Sequence, residues 1–294
     1  MSCSDAVDSE PLMNQAAPPQ ARPLSNILVA TDFSSASNTA LEYGLSLARR
    51  FGATLYLAHI VSEGSGTEQA WRDGQHLTTD LLISGKLRGV PHKLLVGQGE
   101  IWAGLAPIVE EHKIDMIVVG THGRTGLAKV ILGSVAERIF RQASCPVLTV
   151  GPNSRAYPPP GGLCSILYAT DFTPQSLRAS DYAFSLALRS QAHLILLHAM
   201  NRSSKPDEQS ALANDARNRL KAIIPDGLSF HDEPECLVIS GGAGSGILSV
   251  AAEKNPDLIV LGVTKAGADT FAGRRWTNAS EVIGKSACPV LTVR

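Results

Sequence analysis

Hydrophobic and polar positions along the chain alternate between two rhythms. Asn26–Thr31 is a compact apolar run, the pattern of a strand covered on both faces. Ser35–Phe51 then switches to helical spacing, with Ala40, Tyr43, Gly44, Leu47 and Ala48 on one side. The same alternation predicts strands at Thr54–Ile60, His92–Val96, Asp115–Gly120 and Pro146–Val150. Between them it predicts helices over 67–87, Glu100–His112 and Lys129–Gln142. Strands without a polar face, each followed by a helix, belong in a parallel sheet with helices on both sides. Right-handed crossovers make that sheet doubly wound.

The whole pattern occurs twice. Residues 27–61 and 166–200 align without a gap and are identical at 17 of 35 positions. DMIVVG at 115–120 returns as DLIVLG at 257–262, and SCPVLTV at 144–150 as ACPVLTV at 287–293. A period this long is too great for a solenoid and denotes a duplicated domain. The second copy predicts strands at Ser165–Thr170, His193–Ala199, Ser229–Ser240, Asp257–Gly262 and Pro289–Val293. Its helices are predicted at Pro174–Ser190, Asp207–Ile224, Gly246–Lys254 and Thr277–Ser286. The expected architecture is two tandem α/β domains with Rossmann-like doubly wound sheets of five strands each, at 26–150 and 164–294. Residues 151–163 carry a Pro triplet and a Gly pair and read as a semi-rigid linker. Residues 1–25, rich in Ala, Pro, Ser and Gln, read as a disordered tail.

Composition narrows the function classes. The 294 residues are 44% hydrophobic and 18% charged, with a formal net charge of −1, so charge gives a nucleic-acid partner no support. No apolar run reaches the ~18 residues of a membrane-spanning helix, and the first 25 residues lack the pattern of a signal peptide. The five cysteines form no CxxC pair, which favours a reducing, cytoplasmic setting over a disulfide or zinc scaffold.

In a doubly wound sheet, ligands bind beyond the carboxyl ends of the strands where strand order reverses. Asp32 follows the first strand, and a glycine-rich loop, GTHGRTGLAKVILGS at 120–134, follows the fourth. Its glycines let backbone N–H groups approach an anion. Gly133 and Ser134 serve the same anion if the last helix starts there rather than near Lys129. Arg124 and Lys129 lie between the two glycine clusters and would screen phosphate charge. The competing reading is that the glycines only turn the chain.

At these residues the sequence resembles the universal stress protein family in its tandem form. The family's nucleotide signature is Gly, two residues, Gly, nine residues, Gly, then Ser or Thr. It is met by Gly120, Gly123, Gly133 and Ser134. The ATD opening with Asp32, His59 at the end of the second strand and the CPVLTV ending resemble the family too. The resemblance implies ATP, with or without magnesium, bound by the first domain. Ala30 and Asp32 would flank the nucleoside, with the carboxylate near ribose or metal. Ile60 would meet adenine through its backbone. Val119 and Gly120 would line the ribose side, and Gly123, Gly133, Ser134 and Val135 would hold phosphates. Ala136 departs from the Ser or Thr of many relatives. The second half departs further: Lys265 replaces the second signature glycine, and Trp276, Thr277 and Asn278 fall where Gly-Ser is expected. That half is expected to bind ATP weakly or not at all, leaving another anion near Lys265, Arg274 and Arg275 open. Family members pair through the last strand, so 146–150 and 289–293 are expected to pair within the chain. Two chains are expected to form a homodimer.

The functional expectation is an ATP-binding stress or regulatory protein with little or no catalysis. One alternative is a slow ATPase or nucleotidyl-transferring enzyme, in which Asp32 would serve both metal and water. Another is an interaction module without nucleotide. His59 and His198 read as packed or backbone-bonded, and Cys145 and Cys288 as small buried residues. His122 reads as an exposed loop residue. The stretch from Ser240 to Ser245 reads as a turn before a helix. The near P-loop from Ala279 to Ser286 reads as helix.

Overall fold

The computed structural model describes residues 24–64, 66–121, 133–200, 205–263 and 273–294. In the first half β1 (Asn26–Ala30), α1 (Ser35–Phe51), β2 (Thr54–Val61), α2 (Thr67–Ile83), β3 (His92–Gln98) and α3 (Ile101–Glu111) lead to β4 (Met116–Gly120), α4 (Ser134–Gln142) and β5 (Val147–Val150). The second half repeats this as β6 (Ser165–Ala169), α5 (Pro174–Ser190), β7 (His193–Met200), α6 (Pro206–Ala222), β8 (Glu235–Ser240), α7 (Ala243–Lys254), β9 (Leu258–Gly262), α8 (Gly273–Lys285) and β10 (Val290–Val293).

All ten strands join one sheet in the order β3-β2-β1-β4-β5-β10-β9-β6-β7-β8. Within each half every pair is parallel; the seam between halves, β5 with β10, is antiparallel, with Leu148 opposite Leu291. The expected pairing of the last strands within the chain is therefore present. It also covers the edge that each half would otherwise leave open. The inner strands are apolar on both faces, while the edge strands β3 and β8 are only partly buried. Ile27 and Val29 pack on the side of α1 and α5, while Leu28 packs on the side of α3 and α4.

Local chemistry sets the helix ends. Ser34 caps α1 by accepting from the Ser37 N–H at 3.2 Å, and Gly52 ends it in the left-handed region (φ 67°). Thr173 caps α5, with Pro174 at the first helical position. The carboxyl ends of α1 and α5 cap each other across the seam. Arg50 donates to the Arg189 carbonyl at 3.3 Å, and Arg189 to the Phe51 carbonyl at 3.4 Å. Cations there also oppose the negative ends of the helix dipoles.

The connection between halves is stitched down. A Cβ on Gly151 would lie 2.2 Å from the Ile283 carbonyl oxygen, so only glycine fits against α8. Arg155 bonds Asp257 at 2.9 Å and Asn255 at 2.7 Å, and its carbonyl accepts from the Tyr43 hydroxyl at 3.1 Å. Leu24 and Ser25, grouped with the tail on sequence grounds, are packed: Leu24 is buried and the Ser25 N–H donates to Asp115. The rest of the expected tail lies outside the described residues.

Several predicted boundaries move. The last helix of the first half begins at Ser134, not Lys129, because Gly133 is extended (φ −63°, ψ 152°). Its counterpart begins at Gly273, four residues before the expected Thr277. β8 begins at Glu235 rather than Ser229, directly after Pro234, which has no N–H to give a ladder.

Candidate functional site

β1 lies between β2 and β4, so strand order reverses between β1 and β4. Their carboxyl ends bring Ala30, Asp32, Val119 and Gly120 to one crevice. The turn after β1 is built by Thr31, buried, whose Oγ1 accepts from the Phe33 N–H at 3.0 Å and meets Ser37 Oγ at 3.1 Å. Phe33 adopts a left-handed conformation (φ 61°), and Asp32 Oδ1 accepts from the Ser34 N–H at 3.0 Å. The Thr31 carbonyl accepts from His59 Nδ1 at 2.6 Å, which fixes the proton on Nδ1. His59 also packs on the Phe33 ring at 4.6 Å between centroids. It is a backbone-bonded histidine, as its sequence context suggests.

Ile60 reaches the same crevice through its backbone. The Ala58 carbonyl accepts from Thr31 and the Val61 carbonyl from Gly99, so successive β2 residues face β1 and β3 in turn. The Ile60 N–H and C=O therefore face the β1 side, beyond the last β1–β2 pair at Ala30 and Ala58. Its side chain packs toward α3; a Cβ on Gly97 would stand 2.7 Å from Ile60 Cδ1 and one on Gly104 2.9 Å away.

The chain re-enters above β4 at Gly133. The Gly133 N–H donates to the Thr121 carbonyl at 2.8 Å, and the Thr121 N–H donates to the Val150 carbonyl at 3.1 Å. This places the amino end of α4 over the carboxyl end of β4. The first intrahelical bond runs from Glu137 N–H to the Gly133 carbonyl, and Gly133 has no side chain with which to cap. Ser134, Val135 and Ala136 thus begin the helix with N–H groups outside its internal ladder. Ser134 and Val135 are exposed, whereas Ala136 is buried in the core. Gly123, Arg124, Lys129 and His122 lie outside the described residues. Glu100 caps α3 by accepting from Trp102 and Ala103 N–H groups and pairs with Arg138 of α4 at 2.5 Å. The Ala103 N–H, then Arg138, hold its carboxyl below the usual range.

Sequence reasoning missed Thr31, Phe33 and Thr121. The first two were visible as ATDF, which recurs at 169–172; Thr121 carries no such signal.

The second half reproduces the turn and not the helix end. Thr170 Oγ1 accepts from Phe172 N–H at 3.0 Å, Phe172 has φ 61°, and His198 Nδ1 donates to the Thr170 carbonyl at 2.8 Å. Buried Ala136 and Ile139 correspond to buried Ala279 and Val282. That register puts Trp276 opposite Gly133, inside α8. Lys265 lies outside the described residues. Only Gly241 and Gly242 turn the chain after Ser240, because α7 begins at Ala243 rather than the expected Gly246; as expected, the near P-loop is α8 helix. Among the described residues no group of three or more His, Cys, Asp and Glu is placed to hold a metal ion, and no helix is long and apolar enough to cross a membrane.

These features define a tandem doubly wound α/β protein with its crevice at the switch point of each half. The sequence model of the Universal stress protein family matches residues 23–151 and 165–294, and the chain belongs to that family. A universal stress protein of Methanocaldococcus jannaschii, MJ0531, is 32% identical over 136 residues, covering 42% of this chain and 80% of that protein. Mycobacterium tuberculosis Rv2005c is 27% identical over 187 residues; the match covers 59% of this chain and 63% of that protein. The crystal structure of a universal stress protein from Archaeoglobus fulgidus superposes with a TM-score of 0.69 at 19% identity, over 91% of this chain and 97% of that one. At that identity the likeness concerns the fold.

Proposed function

We propose that the first half binds ATP in the crevice between β1 and β4 and acts as a nucleotide-dependent regulatory protein, with little or no catalysis. The observation that carries this reading is the docking of Gly133 on Thr121. It aims the amino end of α4, with its N–H groups and positive dipole end, at the space beside Asp32. In this reading Ser134 and Val135, with Gly133 and the Gly123 loop, hold phosphates. Asp32 meets ribose hydroxyls. Ala30, Val119 and Gly120 line the nucleoside, and the Ile60 backbone offers adenine one donor and one acceptor. A magnesium ion would arrive on the phosphates, with Asp32 as its protein carboxylate. A homodimer in a reducing cytoplasm belongs to the same reading, and the free thiols of Cys145, Cys164, Cys236 and Cys288 are in keeping with it.

The test is the nucleotide content of the purified chain. We expect about one ATP per chain for one live site. Asp32→Ala is expected to lose it. No bound nucleotide after incubation with ATP and magnesium overturns the proposal. Steady-state phosphate release abolished by Asp32→Ala with binding retained favours the ATPase alternative instead.

A further inference from the structure

We propose that the crevice of the second half is a nucleoside site without a phosphate site. It takes an uncharged purine nucleoside and refuses the triphosphate. This rests on the reading of the first crevice, because the two are compared feature by feature.

The turn at the nucleoside end is closely repeated, with Arg219 added over the Phe172 ring at 4.0 Å. The Thr–Phe bond is 3.0 Å in both halves, and the Phe φ is 61° in both. The N–H two residues on donates to Asp Oδ1 at 3.0 Å in both, and Asp171 Oδ1 also accepts from Thr173 Oγ1 at 2.6 Å. Histidine packs on phenylalanine at 4.6 Å in one and 4.4 Å in the other. Asp171 therefore holds the place of Asp32. The backbone at the end of β7 repeats as well. The Leu197 carbonyl accepts from Thr170 and the Met200 carbonyl from Gly241, so Ala199 N–H and C=O face the β6 side. They lie beyond the last β6–β7 pair, Ala169 with Leu197. One donor and one acceptor side by side complement a purine edge.

Beside that backbone, two side chains are exchanged. The first half has Ile60 on β2 and Gly97 on β3; the second has Ala199 on β7 and Ile239 on β8. Ile239 now fills the slot against the helix, since a Cβ on Gly246 would lie 2.2 Å from its Cδ1. The packing is conserved while the strand end facing the crevice shrinks to alanine.

Among the described residues, the helix end that would hold phosphate is displaced. α8 starts at Gly273, about one turn or ~6 Å earlier than α4 in the register of their buried residues. The N–H groups of Thr277, Asn278 and Ala279 therefore fall inside the helical ladder instead of at its mouth. The neighbouring position changes as well: Glu281, paired with Lys285 at 2.8 Å, stands where α4 has Arg138, and its Oε2 lies 2.6 Å from where a Cβ on Gly244 would sit, near the amino end of α7.

The test uses the full chain with adenosine as probe. The chain is saturated with ATP and magnesium, and tritiated adenosine is measured by equilibrium dialysis. We expect about one ATP and one adenosine bound together. Asp171→Ala is expected to weaken adenosine at least tenfold and leave ATP unchanged, and Asp32→Ala to do the reverse. 8-Azidoadenosine photolabelling of the wild-type chain, which needs no variant, is expected to mark peptides within 164–294. Displacement of all adenosine by ATP, a second ATP per chain, or label confined to the first half overturns the second site alone. Binding of neither ligand overturns the first-half reading as well.

Discussion

Thr149 and Thr292 are equivalent residues on the two strands of the seam, both buried, and they differ in one bond. Thr292 Oγ1 donates to the Val147 carbonyl at 3.1 Å across the seam. The mirror-image bond is not made, and Thr149 Oγ1 has no hydrogen-bond partner. Threonine and valine have nearly the same shape, so substitution to valine isolates the hydroxyl. A buried hydroxyl without a partner costs about 1–3 kcal/mol. A typical buried hydrogen bond contributes about 0.5–1.5 kcal/mol. Thr149→Val is therefore expected to stabilise the protein by about 1 kcal/mol, and Thr292→Val to destabilise it by a similar amount. In a chain of this size each step corresponds to about 2–4 °C in Tm. Urea unfolding followed by circular dichroism separates the two, with an unchanged m-value showing that only stability moved. Equal shifts of the same sign, or a loss of stability in Thr149→Val, would refute the reasoning.

Ser134→Asp is expected to raise Tm slightly, because a carboxylate at the amino end of α4 offsets the dipole, while lowering ATP affinity at least tenfold by repelling phosphate; differential scanning fluorimetry with and without ATP reads both. Gly151→Ala is expected to cost about 1–3 kcal/mol, since its Cβ meets the Ile283 carbonyl at 2.2 Å; thermal unfolding checks it. Burial pushes the Cys145 thiol up to about 11 and the Cys288 thiol up to about 12, so iodoacetamide at pH 8 is expected to modify exposed Cys164 ahead of these two, as read by peptide mass spectrometry. The same two thiols, with the Tyr43 and Tyr168 phenols pushed by burial to about 12, hold their protons when the unfolded chain has released them. Stability is then full below about pH 8.5–10 and falls towards pH 12, by about 1.4 kcal/mol per pH unit for each group in its window.

What was legible in the sequence followed from local chemistry. α1 and α5 begin and end where predicted because a Ser or Thr cap opens each, and Gly52 and Gln191 close them in left-handed conformations. The starts of α4 and α8 were not legible. Val130, Ile131 and Leu132 extend an apolar rhythm that runs on into the helix, while the extended Gly133 that interrupts it is set by a bond to Thr121 across the crevice. The one-residue gap between the copies likewise could not be assigned until buried Ala136 and Ala279 fixed the register. Asp32 was recognisable from ATDF, but its proximity to α4 depends on β1 lying beside β4, a long-range pairing that no local pattern encodes. The Ile60 backbone was named from family likeness; the alternation of carbonyls along β2 supplies the physical reason.

The antiparallel seam has a consequence for heredity as well as for assembly. When two separate chains meet by such a strand, every substitution appears on both sides at once. Here the partners are one polypeptide, so each half has been free to change alone while remaining bound to the other at every dilution. The exchange of Ile60 and Gly97 for Ala199 and Ile239 is such a one-sided change. With β5 and β10 each flanked on both sides, neither leaves an edge open, and the two unlike crevices are always present in equal number.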